Sequence, residues 1–418
     1  MLWRDRDFLK LWLGQTASVF GSQVGGFALP LVAIMVLEAS PASLAALRVA
    51  DLVPGIVVGL FAGVLVDRAR RRRLMILADL GRALLLLTIP TAAFAGFLNI
   101  ALLAIVALLV GTLATVFDIA YQAYLPTLVR PERLIEANSK LTGAQESIEV
   151  VGFGLAGAIV QAVTAPGAIL VDAFSFVVSA ISLGSIRAPD PRPSGSGVEA
   201  GWASRLPARE QIRRGVLAEA LDGLRFVGRD RVLRALTVSQ AAEQFFVQMF
   251  VVVLMLFLVR ELDLTPLVIG LLFGIGGASS LVGSIVAERV ARTFGLGATL
   301  IGSFGLYRLT TLLLPLAGGP WWLALLLVGG SQVFDGASIV FAIHSRSLIQ
   351  RITPDEFLGR VNASMRFVNW GAMLTGTVVG GVIAETVGVR ETIWVGAVGG
   401  IFATYWLIAS PIRGLREA

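Results

Sequence analysis

The sequence predicts an all-α membrane protein whose twelve transmembrane helices form two parallel six-helix repeats. Three observations predict it. Hydrophobic residues make up 56% of the 418-residue chain and charged residues 15%, with a mean hydropathy of +0.82, more apolar surface than a soluble core of this length hides. Apolar runs of span length recur twelve times; about 20 such residues cross a bilayer as a helix, whereas a β-barrel shows short alternating segments. Finally, polar residues of the first half return in the second half at a nearly constant offset.

Taken in order, the runs lie near residues 8–37, 43–66, 73–96, 99–125, 139–163, 167–186, 233–259, 266–287, 296–317, 321–344, 361–384 and 391–410. The first follows Arg4, Arg6 and Lys10 and lacks a small-residue cleavage site, which predicts a retained helix. Between spans 2 and 3, Arg68, Arg70, Arg71, Arg72 and Arg73 pin the turn to the cytoplasm, because basic side chains in short loops resist translocation. Twelve spans then place both termini inside. On that topology Arg48, Arg260 and Arg390 lie in outside loops or at outer helix ends, Arg82 and Arg308 lie within spans, and every other Lys and Arg is cytoplasmic. The net charge of +6 is thus a record of topology, and no nucleic-acid partner is expected.

The stretch 187–232 separates a first half, 1–186, from a second, 233–418. It opens with the linker composition Pro189 to Gly197. From Arg209 to Val227, Ile212, Val216, Leu217, Ala220, Leu221, Leu224 and Val227 recur at helical spacing, which predicts an amphipathic strap on the inner membrane surface. The halves repeat. An offset of 225 carries Gln15, Phe20 and Gln23 onto Gln240, Phe245 and Gln248; 226 carries Arg82 onto Arg308; 224 carries Asn138, Gly152 and Gly157 onto Asn362, Gly376 and Gly381. Six helices per half keep the two halves in one orientation.

The turn Gly63 to Arg73, with Asp67, Arg68 and Arg71, resembles the loop between helices 2 and 3 of the major facilitator superfamily of secondary transporters, and Ser284 to Arg292 echoes it with Glu288, Arg289 and Arg292. Leu125-Pro126-Thr127-Leu128-Val129 with Leu134-Ile135-Glu136-Ala137-Asn138, Val171-Asp172-Ala173-Phe174-Ser175-Phe176, and Gln350 through Val361 are similar to the bacterial branch holding the enterobactin exporter and macrolide-efflux-like proteins. The resemblance implies the major facilitator fold in a bacterial inner membrane, with substrate held between halves near the midplane. It also implies a gate. Asp67 would face the amino end of span 11 and Glu288 that of span 5, where a carboxylate beside free amides is favoured by roughly 0.3–2 kcal/mol. Asp67, Arg68, Arg71, Glu288 and Arg289 are the expected gating set; simple topology marking is the alternative. Two departures stand out: Gly152-Phe153-Gly154-Leu155-Ala156-Gly157 lacks the proline of related antiporters, and span 4 lacks their arginine, with Gly111, Thr112 and Thr115 in that part of the span.

Charges inside spans are costly and default to functional candidates. Glu243, Asp335, Glu146, Glu149 and Asp118 are the expected proton-coupling acids. Glu243 comes first, set among glutamines with no fixed cation adjacent to it; the alternative for each acid is a structural pair with Arg82, Arg308 or Arg366. By resemblance spans 1, 4, 7 and 10 line the cavity. Gln15, Gln23, Tyr121, Gln122, Gln240, Gln244, Gln248, Phe245 and Trp370 are its expected wall, the aromatic residues having packing as the alternative. His344 reads as a packing residue, and Trp321, Trp322 and Trp406 as interfacial anchors.

The only lysines, Lys10 and Lys140, follow Leu9 and Ser139, so no phosphate-binding loop exists to hydrolyse ATP. With one histidine and no cysteine, neither a catalytic constellation, a metal site nor a cofactor is expected. The expectation is an exporter of an amphiphilic small molecule, drug-like or siderophore-like, working by alternating access in exchange for protons, monomeric and in contact with membrane lipid. A lipid or lysolipid translocator of the same fold is the alternative, and a membrane-embedded enzyme or sensor a third reading.

Overall fold

The computed structural model describes residues 2–188 and 222–414. Among them are twelve helices long and apolar enough to cross a membrane. In chain order these are α1 (Arg6–Met35), α2 (Pro41–Arg68), α3 (Arg71–Phe94), α4 (Ile100–Leu128), α5 (Leu134–Val163), α6 (Ala165–Gly184), α7 (Arg231–Leu256, extended by a π-turn over Phe257–Glu261), α8 (Pro266–Phe294), α9 (Leu296–Thr311, resuming over Leu313–Leu316), α10 (α10a, Trp321–Val333, and α10b, Gly336–Ile352), α11 (Asp355–Thr386) and α12 (Val389–Ile408). Within α2 the backbone alone is described at 59–65, 67 and 68.

Helix starts carry the expected caps. The Asp5 carboxylate accepts the amides of Asp7 (3.0 Å) and Phe8 (3.2 Å) ahead of α1, Asn99 accepts Leu102 N–H at 2.9 Å ahead of α4, and Asp230 accepts those of Val232 and Leu233, both at 2.8 Å, ahead of α7. Each satisfies amides that a helix start leaves bare. The repeat extends to the turns: Thr164 (φ 69°) joins α5 to α6, and Gly388 (φ 138°), 224 residues on, joins α11 to α12.

Two compact units result, Met1–Gly195 with Met255–Ile275, and Ser196–Leu254 with Gly276–Ala418. In the first, α1 packs on α5 and α6, α3 on α4 and α6, and α2 on α4. The segment Met255–Ile275 joins it through bare backbone: a Cβ on Gly157 would lie 3.0 Å from Gly270 Cα. In the second, α9 packs on α10b and α12, and α11 on α12. Helix α5 runs unbroken, as the missing proline predicts.

Two spans depart from the expected single runs. The run 296–317 is interrupted at Leu312, three residues before Pro315, whose ring removes a backbone donor; at the helix end Arg390 Nη1 donates to the carbonyls of Pro315 (3.0 Å) and Ala317 (2.9 Å). The run 321–344 is divided at Phe334 and Asp335, and α10b continues to Ile352. Ser279 of α8 splices this break. Its hydroxyl accepts the Gly336 N–H at 2.9 Å and donates to the Val333 carbonyl at 2.5 Å. The close crossing requires Gly283 and Gly336, since a Cβ on either would strike backbone of the other helix. Of the expected amphipathic strap, residues 222–229 are helical, while 209–221 and the linker 189–197 lie outside the described residues. Trp321, Trp322 and Trp406 are exposed near helix ends.

Candidate functional site: two buried arginine centres

Among the described residues each unit buries one arginine deep in its helices. In the first, α3 places Asp79 three residues before Arg82, so both side chains fall on one helix face and form a buried ion pair. The guanidinium also lies 4.1 Å from the Phe176 ring centroid and 4.6 Å from that of Phe117. Stacked between rings from α6 and α4, it keeps its charge out of lipid-like surroundings at less cost than it would alone. Asp172 of α6 lies in the same neighbourhood, 5% exposed, with Oδ1 buried and without a hydrogen-bond partner. Asp118 of α4 is within electrostatic reach of Arg82 but points to an open surface. Next to it Tyr121 stacks on Phe117, ring centroids 6.4 Å apart, and Gln122 is exposed.

In the second unit the acid comes from another helix. Arg308 of α9 donates from Nη2 to Glu243 Oε1 of α7 at 2.9 Å. The arginine side chain is 1% exposed and the glutamate 19%. Glu243 was expected to stand without a fixed cation; the packing of α7 on α9 supplies one across 65 residues of sequence, which no local spacing announces. Arg308 also lies 4.1 Å from the Tyr307 ring centroid and 5.7 Å from that of Phe304, and Gly400 of α12 leaves room for it. Around Glu243, Gln240 donates from Nε2 to Ser345 Oγ at 2.7 Å, Phe245 meets Phe246 edge-on with centroids 5.1 Å apart, and Gln244 is half-buried. Gln248, by contrast, is 7% exposed with an unpartnered Oε1. Trp370 lies 5.9 Å beneath the Arg366 guanidinium.

The remaining expected residues are scattered. Asp335 sits at the break in α10, its Oδ2 3.4 Å from Ser280 Oγ. Glu146 and Glu149 are exposed on α5, and Glu149 accepts only a long bond of 3.4 Å from Gln145. Gln15 Nε2 is buried without a partner, and Gln23 lies against Gly152. Of the gating set, Arg71 donates to the Ala123 carbonyl at 2.8 Å, Glu288 is exposed with Arg292 Nε at 3.8 Å, Arg289 is exposed, and the side chains of Asp67 and Arg68 lie outside those described. His344 donates from Nε2 to the Ala287 carbonyl at 2.9 Å, a packing role. Asp79 and Asp172 stand outside the acids expected from sequence. The three-residue spacing to Arg82 marks Asp79, whereas Asp172 is brought in by the packing of α3 on α6. Among the described residues no group of three His, Asp or Glu gathers as metal ligands.

A family model described as the Major Facilitator Superfamily matches residues 11–369. The chain belongs to this superfamily. It is similar to the MFS-type transporter y4rN of Sinorhizobium fredii, 26% identical over 375 residues, covering 85% of this chain and 84% of the relative. It is similar as well to the multidrug efflux pump Tap of Mycolicibacterium fortuitum, 26% identical over 352 residues, covering 82% and 81%. A solved bacterial homologue of the iron transporter ferroportin, in its inward-facing state, superimposes with a TM-score of 0.76 at 18% identity over 97% of this chain and 98% of that one, which speaks to the fold alone. This major facilitator protein is therefore a multi-pass membrane transporter for a small-molecule substrate.

Proposed function

We propose that the protein exports an amphiphilic small molecule from the cytoplasm across a bacterial inner membrane, both termini cytoplasmic, in exchange for protons. One observation carries this reading: the Glu243–Arg308 pair, in which the glutamate side chain is 19% exposed while its arginine is sealed. On the same helix Gln244 is half-buried and Phe245 offers an apolar surface, while Gln240 is held by Ser345, a mixed wall suited to an amphiphile. A proton on Glu243 cancels the attraction to Arg308 and releases α7 from α9, which gives loading a structural consequence. The likeness to Tap supports a drug-like substrate and the efflux-type branch of the superfamily. Asp335, Asp118, Glu146 and Glu149 are secondary coupling acids in this reading, Gln15, Gln23, Tyr121, Gln122, Gln248 and Trp370 further wall, and Asp67, Arg68, Arg71, Glu288 and Arg289 the gate.

The test is transport into inverted vesicles under an imposed pH gradient, set against equilibrium binding of the same substrate. Glu243→Gln abolishes uphill transport and keeps binding; Asp335→Asn does so less completely. Undiminished uphill transport by Glu243→Gln removes Glu243 from the mechanism and passes the role to Glu146 and Glu149. Single cysteines at Ser194 and Gly319 label from opposite sides if the topology is right, and from one side if it is wrong.

A further inference from the structure

The first unit holds more buried acid than buried base. Arg82 bonds to Asp79 and stacks on the faces of Phe117 and Phe176, and it reaches Asp172 only through space. Asp172 remains, 5% exposed, with Oδ1 bare. Ser175, one turn along α6, donates its hydroxyl to the Asp172 backbone carbonyl at 2.7 Å and also lies within reach of the carboxyl, but it carries no charge to balance the acid. A carboxylate buried in this way is strongly unfavourable unless something neutralises it. Helix α1 is shaped around this carboxyl: a Cβ on Gly25 would strike Asp172 Oδ2, and one on Gly21 would strike Ser175 and sit 3.1 Å from Oδ1. The space is thus kept for the acid group.

Asp172 also opens on a cavity of about 170 Å³, shared with Arg82, Ser22, Ala107 and Asp51, room for several waters or a small ion. Asp51 of α2 is 44% exposed and paired to Arg48 at 2.8 Å, which gives the cavity an open and polar end. The charged groups lining this space besides Asp172 are Asp51 on α2 and Arg82 on α3. Behind them Arg48 pairs with Asp51, Asp79 pairs with Arg82, and Asp118 of α4 lies within electrostatic reach of Arg82. Helix α1 contributes Ser22, Gly25, Gly26 and Leu29 to it, none of them charged, and the α5 acids Glu146 and Glu149 are exposed.

We propose that Asp172 binds one monovalent cation, a proton or a sodium ion, within the cavity of the first unit. The inference deepens the cation-coupled reading above by giving the first half its own loading site, separate from Glu243 in the second. Purified wild-type and Asp172→Asn proteins, without substrate and without a gradient, are unfolded thermally in two series: sodium chloride against choline chloride at fixed pH and ionic strength, and pH at fixed salt. A ligand bound only by the folded state raises the midpoint. The wild type shifts in one series, which identifies the cation, and Asp172→Asn loses that shift. Parallel shifts of both proteins in both series overturn the site. Should the Asn variant fail to accumulate, Ala107→Met, which plugs the cavity with every charge retained, takes its place: loss of the response supports the site, and a full wild-type response overturns it. Because neither substrate nor gradient enters, failure here leaves the exporter reading standing, and failure of the Glu243→Gln transport test leaves this site standing.

Discussion

Arg82 and Arg308 occupy matched positions of the repeat, yet the two halves neutralise them differently. Arg82 takes an acid from its own helix, three residues away, and adds aromatic faces from α4 and α6. Arg308 takes its acid from α7, 65 residues away. An ion pair within one helix travels with that helix and says nothing about its neighbours. A pair between helices is a tie, made or broken as α7 and α9 move. The same buried charge is therefore balanced within one helix in one half and across two helices in the other.

The largest expected effect tests the tie. Glu243→Leu strands a sealed arginine, and breaking a buried pair in this way costs about 3–5 kcal/mol, read as a drop in thermal stability in detergent. Asp79→Leu costs less, about 1–3 kcal/mol, because Asp172 and Asp118 remain within electrostatic reach of Arg82. Equal losses break the comparison. Next, Phe176→Leu costs about 2 kcal/mol through the lost ring face and some packing; a negligible loss would mean that Asp79 alone stabilises Arg82. Smaller still, Ser279→Ala removes both bonds across the break in α10 and costs about 1 kcal/mol, with faster amide exchange confined to residues around Gly336. At the bottom of the scale Glu288→Gln leaves stability unchanged, since its ion pair with Arg292 is exposed on both sides; a clear loss would show that the carboxylate has a tighter partner than Arg292.

Much of this was legible beforehand. Hydropathy locates twelve spans because lipid demands length and apolarity of any helix that crosses it, and the repeat is written in Arg82 and Arg308 themselves. The breaks were not legible. Pro315 gives a local signal for the one in α9, but the division of α10 at Phe334 rests on a serine from α8, and nothing near Asp335 in sequence contains it. The same limit left the partner of Glu243 open among Arg82, Arg308 and Arg366 and hid the place of Asp172, whose surroundings are made by helices distant in the chain. Local patterns report what one helix does with solvent or lipid; contacts between helices decide which buried charge is balanced.

The hydroxyl of Ser279 makes α10 a jointed rod whose pin belongs to a neighbour. Two hydrogen bonds of modest net strength, each roughly 0.5–1.5 kcal/mol, hold the segments α10a and α10b in line. Thermal motion can draw such a pin and reseat it without unwinding either segment. Any sliding of α8 by a single residue carries the serine out of register with Gly336, so the stiffness of α10 is set by the position of α8, and a lever that bends only when its neighbour shifts makes the bending of one helix report the displacement of the other.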